Sequence, residues 1–141
     1  MGSPVTVSNV LIIDTSVFID HLRTGCHERR IGSLTGLIRT SSVVLAELWR
    51  GATKPAEREF LQVLEQNHPL LTPTEKNWLE SGRILGQIYA DKGGTYDKLR
   101  DLHFDVLIAL TARSYGAVLI TSDRSDFELI NAYRKFQMEI W

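Results

Sequence analysis

Along this chain, short unbroken apolar runs alternate with longer stretches whose apolar residues return near every third or fourth position. Val10-Leu11-Ile12-Ile13 is such a run, as in a strand covered on both faces, and it stops abruptly at Asp14-Thr15-Ser16. Val17, Phe18, Ile19 and Leu22 follow at helical spacing, with Gly25 as the stop. The polar stretch to Ser33 reads as a loop or short helix. Leu37 to Thr40 is a brief strand, and Ser41-Ser42 supplies an N-cap for a helix from Val43 to Arg50, closed by Gly51. Pro55 suits a first helical position, and Phe60, Leu61, Val63 and Leu64 stripe a helix that ends near Asn67.

Pro69-Leu70-Leu71 reads as a short strand, and Thr72-Pro73-Thr74-Glu75 as a capping box with proline opening the next helix. In that long helix Trp78, Leu85, Ile88 and Tyr89 recur near a 3.6 period until Gly93-Gly94. Lys92 to Asp101 reads as an exposed, mobile loop. Phe104 to Tyr115 is a strongly apolar helix with Asp105 in its first turn. Ala117 to Thr121 is a buried strand ending at Ser122-Asp123, which parallels the ending of the first strand at Asp14. Asp126 to Ile130 forms a short helix and Gln137 to Ile140 a final edge strand. Strands alternating with helices predict an α/β fold, with a mainly parallel central sheet flanked by helices.

At 141 residues the chain is the size of one domain, expected over 1–141, with residues 1–8 a flexible or vector-derived N-terminus. The start lacks the basic and long apolar segments of a secretory signal, and no apolar run is long enough to span a bilayer. One cysteine, Cys26, allows no intrachain disulfide and suits a reducing cytoplasm; beside it His27 is too little to make a metal site. The formal charge of −1 gives no global attraction to nucleic acid, so any phosphate contact must come from local cations. Candidates are Arg23, Arg29 and Arg30, then Arg50, Lys54 and Arg58, then Lys92, Lys98 and Arg100; of these, Arg50 and Lys54 are the residues assigned to RNA binding.

Four acids occupy positions that the pattern brings together: Asp14 and Asp123 at strand ends, Glu47 on a short helix, and Asp105 opening another. In open α/β sheets ligands bind beyond the carboxyl ends of the strands. Singly, each acid has a plainer explanation. Asp14 caps a helix as readily as it serves a site, Asp105 suits a helix macrodipole, and Glu47 is a surface residue or a partner of Arg50. Together they are harder to explain so, because two carboxylates about 4 Å apart repel by roughly 4 kcal/mol at an effective dielectric near 20. Such a cluster needs a cation or protons. All-oxygen ligands without histidine or cysteine favour Mg²⁺ or Mn²⁺ over zinc, and such ions serve phosphodiester hydrolysis.

Asp14-Thr15-Ser16 after an apolar strand, Leu45-Ala46-Glu47-Leu48 with Gly51 after it, Asp105-Val106-Leu107-Ile108-Ala109, and Thr121-Ser122-Asp123 with Asp126-Phe127 form an ordered set. It resembles the signatures of the PIN-domain ribonucleases, and most of all the VapC-like toxins of bacterial toxin–antitoxin pairs, from about Val10 to Ile130. The resemblance implies that Asp14, Glu47, Asp105 and Asp123 bind Mg²⁺ or Mn²⁺ for RNA cleavage, supported by a polar residue at Ser16 or Thr121; Thr15, between Asp14 and Ser16, is counted as supporting beside them. It also implies a homodimer, inhibited by a small antitoxin that inserts a segment into the active-site groove. Many members have Asn where Asp123 stands and keep the acid matching Asp126. Here Asp123 is assigned as the fourth acid, mirroring Asp14, and Asp126 as a cap or supporting residue for the turn at Phe127. Trp49, Phe60 and Trp141 are either a partner surface or ordinary core and edge residues.

Other classes fit less well. A haloacid-dehalogenase-type phosphatase would carry a second acid two residues after Asp14, where Ser16 stands. A response-regulator-like phosphoacceptor would want an acidic pair at the first strand's end. The remaining alternatives are a free-standing RNA-processing nuclease and a catalytically silent RNA- or protein-binding scaffold on the same fold.

Overall fold

The computed structural model of the chain describes residues 10–34 and 37–141. The expectation for residues 1–8 lies outside the described residues. β1 (Val10–Ile13) runs at the centre of a five-stranded, all-parallel sheet of order β3-β2-β1-β4-β5, with β2 Leu37–Ser41, β3 Leu70–Leu71, β4 Val118–Thr121 and β5 Gln137–Ile140. Ile12 faces Leu119 across the β1–β4 pair and Arg39 across the β1–β2 pair. Ile12, Leu119 and Ile120 are fully buried, as expected of central parallel strands covered by helices on both sides. β5 instead alternates exposed and half-buried residues, which suits its edge position.

Seven helices cover the sheet among the described residues: α1 Thr15–Thr24, α2 Glu28–Gly32, α3 Ser42–Gly51, α4 Pro55–Asn67, α5 Glu75–Lys92, α6 Tyr96–Ser114 and α7 Arg124–Tyr133. From β1 the chain winds outward to β2 and β3, then returns to the other side of β1 for β4 and β5. The direction of winding therefore reverses between β1 and β4. That reversal opens a crevice at their carboxyl ends, where Asp14 and Thr121 lie.

Three local expectations shift. Thr95 caps α6, accepting from the Lys98 amide, so α6 begins at Tyr96 and not at Phe104. Most of the segment read as a mobile loop is therefore helix, and Asp105 sits mid-helix, where a helix-terminus role cannot explain it. α5 is capped by Thr74, whose box partner is Asn77; Pro73 precedes the cap rather than opening the helix. The buried face of α5 runs through Asn77, Ser81, Ile84 and Ile88, which turns Trp78 and Tyr89 outward. Buried polar groups held by partners, such as Asn77 donating to Ser114, let a helix bury positions that a purely apolar stripe misses. Trp49, Phe60 and Trp141 pack half-buried against the core.

Candidate metal centre

Asp14 ends β1, and only 2% of its surface is exposed. Its two oxygens have different surroundings. Oδ2 accepts from the Ser16 hydroxyl at 2.7 Å, the Thr121 hydroxyl at 2.9 Å and the Ser16 amide at 3.4 Å, so one oxygen caps α1 and ties two loops together. Oδ1 is buried and, among the described residues, has no hydrogen-bond partner. The hydroxyls that serve Oδ2 are themselves satisfied. Ser16 Oγ accepts from the Ser122 amide at 3.0 Å and Thr121 Oγ1 from the Asp123 amide at 2.9 Å. The turn after β4 is thus fastened to the turn after β1, and Trp141 extends the ladder by donating its amide to the Thr121 carbonyl.

Glu47 arrives by the same device on the next strand. Ser41 ends β2 and caps α3, accepting from the amides of Val43 and Val44, so strand passes into helix without a linker. Glu47 lies on this helix half-buried, and its Oε1 accepts the Thr15 hydroxyl at 2.8 Å. Arg50, one turn further on, does not pair with it among the described residues but lays its guanidinium 5.5 Å from the Phe104 ring centroid. Asp105 projects from the middle of α6. One carboxylate oxygen each from Asp105, Asp123 and Asp126 lie within 4.8 Å of one another.

Asp123, not Asp126, caps α7: its Oδ1 accepts the Asp126 amide at 3.2 Å. A helix starting at Arg124 puts its N-cap at 123 and its first turn at 126. Asp126 is thereby left with its carboxylate facing Asp105 and Asp123, and the cap expected at Asp126 is corrected.

The cluster is electrostatically frustrated. Burial pushes the Asp105 carboxyl up to about 9, and Asp14, Glu47, Asp126 and Asp123 all add to that push. Burial likewise raises Asp14, against the hydrogen bonds from Ser16 and Thr121. Glu47 is raised by burial and by Asp14 and Asp101, with the Thr15 hydroxyl and Arg50 acting the other way. Asp126 is raised by burial and by Asp123, with Lys98 opposing. Asp105 is thus the one acid on which the other four act, and five carboxylates share one crevice at the switch point.

The structure brings Asp14, Thr15, Ser16, Glu47, Asp105, Thr121, Asp123 and Asp126 to this crevice, with Arg50 beside it. Lys54 is exposed and its backbone amide donates to Glu57 as α4 begins, with no contact to the acids among the described residues. Asp101 was missed, and Lys98, named only among the scattered cations, was not connected with the acids. Both lie on α6 at spacings of four and seven residues before Asp105, a signal legible only once Thr95 is taken as the cap. Cys26 is an exposed free thiol, and His27 packs on Trp141 and Asp20, away from any metal cluster.

The PIN-domain family profile matches residues 11–132. The chain belongs to the PIN-domain family. Solved structures share this PIN fold at low sequence identity. A chain of VapBC2 from Rickettsia felis, bound to a DNA fragment from its promoter, superposes with a TM-score of 0.70 at 18% identity, covering 94% of this chain and 98% of that one. VapBC-1 from nontypeable Haemophilus influenzae gives 0.68 at 21%, covering 94% and 98%, and DNA-bound VapBC from Salmonella typhimurium 0.67 at 22%, covering 96% and 99%. No curated protein sequence matches the chain. Among the described residues of this PIN domain, no helix is long and apolar enough to cross a membrane.

Proposed function

We propose that this PIN domain is a divalent-metal-dependent endoribonuclease and the toxin of a toxin–antitoxin pair, acting in the cytoplasm. The observation that carries the reading is the convergence of acids at the switch-point crevice: oxygens of Asp105, Asp123 and Asp126 lie within 4.8 Å of one another, and Asp14 and Glu47 add to the push on the half-buried Asp105 carboxyl. A crevice of this kind is costly to leave without positive charge. The donor set fits Mg²⁺ or Mn²⁺: every candidate ligand atom is a carboxylate oxygen, and Asp14 Oδ1 is a buried acceptor without a partner. Asp105, Asp123 and Asp126, whose oxygens stand within 4.8 Å of one another, would hold the ion, and Asp14 and Glu47, which act on Asp105 from the strand-end side, would complete its coordination, Asp123 having one oxygen engaged in capping. Bound there, the ion supplies Lewis-acid activation of the phosphodiester and of the attacking water.

The chain's own residues fix the ligands. Ser16 and Thr121 hold Asp14 Oδ2, which leaves Oδ1 without a partner among the described residues, and Thr15 fixes Glu47 through its hydroxyl. Orientation of ligands by such outer groups is worth roughly 10–100-fold in affinity or activity. Wild-type protein is expected to cleave single-stranded RNA with Mg²⁺ or Mn²⁺, to lose the activity in chelator, and to regain it when Mn²⁺ is returned. Cleavage that persists in chelator would exclude the reading.

An antitoxin partner is supported by the VapBC assemblies that share the fold. It is also supported by a groove of about 230 Å³ walled by Ile19, Leu22, Leu48 and Leu61, with Glu47 at its side, which suits an inserted apolar segment. A homodimer is supported by the large apolar side chains that α5 and α6 leave exposed, Trp78, Leu79, Tyr89 and Tyr96. Light scattering is expected to give twice the chain mass; a monomer at all concentrations would remove that part of the proposal.

A further inference from the structure

A polyanion must approach five carboxylates on a chain whose formal charge is −1, so local cations have to offset the repulsion. Many cations here are engaged elsewhere. Arg124 pairs with Glu128 at 2.7 Å, Arg100 with Asp97 at 3.3 Å and Arg134 with Glu80, while Arg113 and Arg58 donate to the carbonyls of Lys135 and Ala52. Two cations beside the acids are not so engaged. Arg50 is one turn from Glu47, yet Glu47 takes the Thr15 hydroxyl and the guanidinium rests on Phe104, the residue before Asp105. Among the described residues it makes no hydrogen bond or ion pair, so a ring orients a planar donor fork whose N–H groups stay available.

Lys98 stands at the opposite end. It lies two turns before Asp105 on the same helix, and with Leu102 and Leu129 it lines a cavity of about 210 Å³ bounded by the end of α5, the start of α6 and α7. Its charge acts on Asp126, so it stands by the Asp126 side of the crevice, as Arg50, whose charge acts on Glu47, stands by the Glu47 side. It too makes no side-chain hydrogen bond or ion pair among the described residues.

We propose that Arg50 and Lys98 form a two-point clamp on the substrate backbone, gripping the phosphates on either side of the scissile one, one at each end of the acidic crevice. The clamp rests on the nuclease reading above and adds the residues that position its substrate. Because Asp14 is nearly inaccessible at the floor, the scissile phosphate must descend between the cations, which a splayed single strand can do and a stacked duplex cannot.

The test is the cleavage of a single-stranded RNA oligonucleotide with Mn²⁺ across a salt series, for wild type, Arg50→Gln, Lys98→Gln and the control Arg100→Gln. Each of the first two is expected to raise KM roughly tenfold, the scale of one charged hydrogen bond, with kcat within about threefold. Each is also expected to reduce the slope of log(1/KM) against log salt by roughly 0.7, the single-strand value per phosphate contact. Arg50→Lys keeps the slope and recovers part of the KM, since charge stays and the stacked fork goes. Arg100→Gln matches wild type. Cleavage with unchanged KM and slope in both variants overturns the clamp and leaves the nuclease reading standing. If wild type does not cleave, anisotropy with the same labelled RNA decides: binding whose salt slope drops in both variants upholds the clamp without the nuclease. Absence of binding overturns both.

Discussion

Asp105→Asn is expected to make the metal-free protein more stable while removing its RNA cleavage. The native carboxylate is half-buried on α6, its carboxyl is pushed up to about 9 by burial and by Asp14, Glu47, Asp126 and Asp123, and in the unfolded chain it returns to 3.8. Each unit of such a shift corresponds to about 1.36 kcal/mol, so a near-isosteric neutral amide relieves on the order of a few kcal/mol at pH 7. The same substitution removes the acid on which all four others converge. Cleavage should therefore fall by more than the roughly 10–100-fold that loss of an outer group costs. Urea unfolding in chelator reads the first effect and cleavage of a model RNA with Mn²⁺ the second. A variant that is less stable without metal and still active would show that Asp105 is an ordinary helix residue. A gain in stability paired with a loss of function is the signature of a residue kept for a ligand and not for the fold.

The stability of the metal-free protein is expected to fall as pH rises from about 5 to 9. Asp105 has a higher pKa folded than unfolded, so between 3.8 and about 9 the native state holds a proton that the unfolded state has released. Stability is then greatest below the unfolded value and is lost as pH climbs through the folded one. Asp14, Glu47 and Asp126 are shifted in the same direction, and they add to the loss. One such group contributes roughly 4 kcal/mol over three pH units, which for a domain of this size is on the order of 10 °C in Tm. Saturating Mn²⁺ competes with those protons, so the ion should raise Tm more at pH 8.5 than at pH 5.5. Thermal unfolding at the two pH values, with chelator and with Mn²⁺, measures both. Metal-free stability that is flat or rises across this window would contradict the frustrated cluster.

The strands and the acids were legible in the sequence for one reason. Parallel strands buried on both faces leave continuous apolar runs, and an acid directly after such a run stands out, as Asp14 does after Ile13 and Asp123 after Thr121-Ser122. Glu47 was legible because Ser41 signals the helix that carries it. The start of α6 was not, because Tyr96 to Asp101 carries charge and an exposed aromatic, and only the Thr95 hydroxyl marks a helix there. That miss hid Asp101, left Lys98 unconnected with the acids and put Asp105 in a first turn. The α5 stripe was misplaced because Asn77 and Ser81 are buried polar residues with partners, Ser114 and His103, that lie far along the chain. The roles of Asp123 and Asp126 turned on a three-residue difference in which acid caps α7, which pattern alone does not resolve.

Titration calorimetry of Mn²⁺ into metal-free protein at pH 7.5 tests most directly whether the five carboxylates are an ion site. Wild type is expected to bind Mn²⁺ with heat that depends on the ionisation enthalpy of the buffer, because protons leave the acids as the ion enters, and Asp14→Asn and Asp105→Asn are each expected to abolish saturable binding while remaining folded. Saturable binding that both variants retain, or none in wild type, would contradict the account.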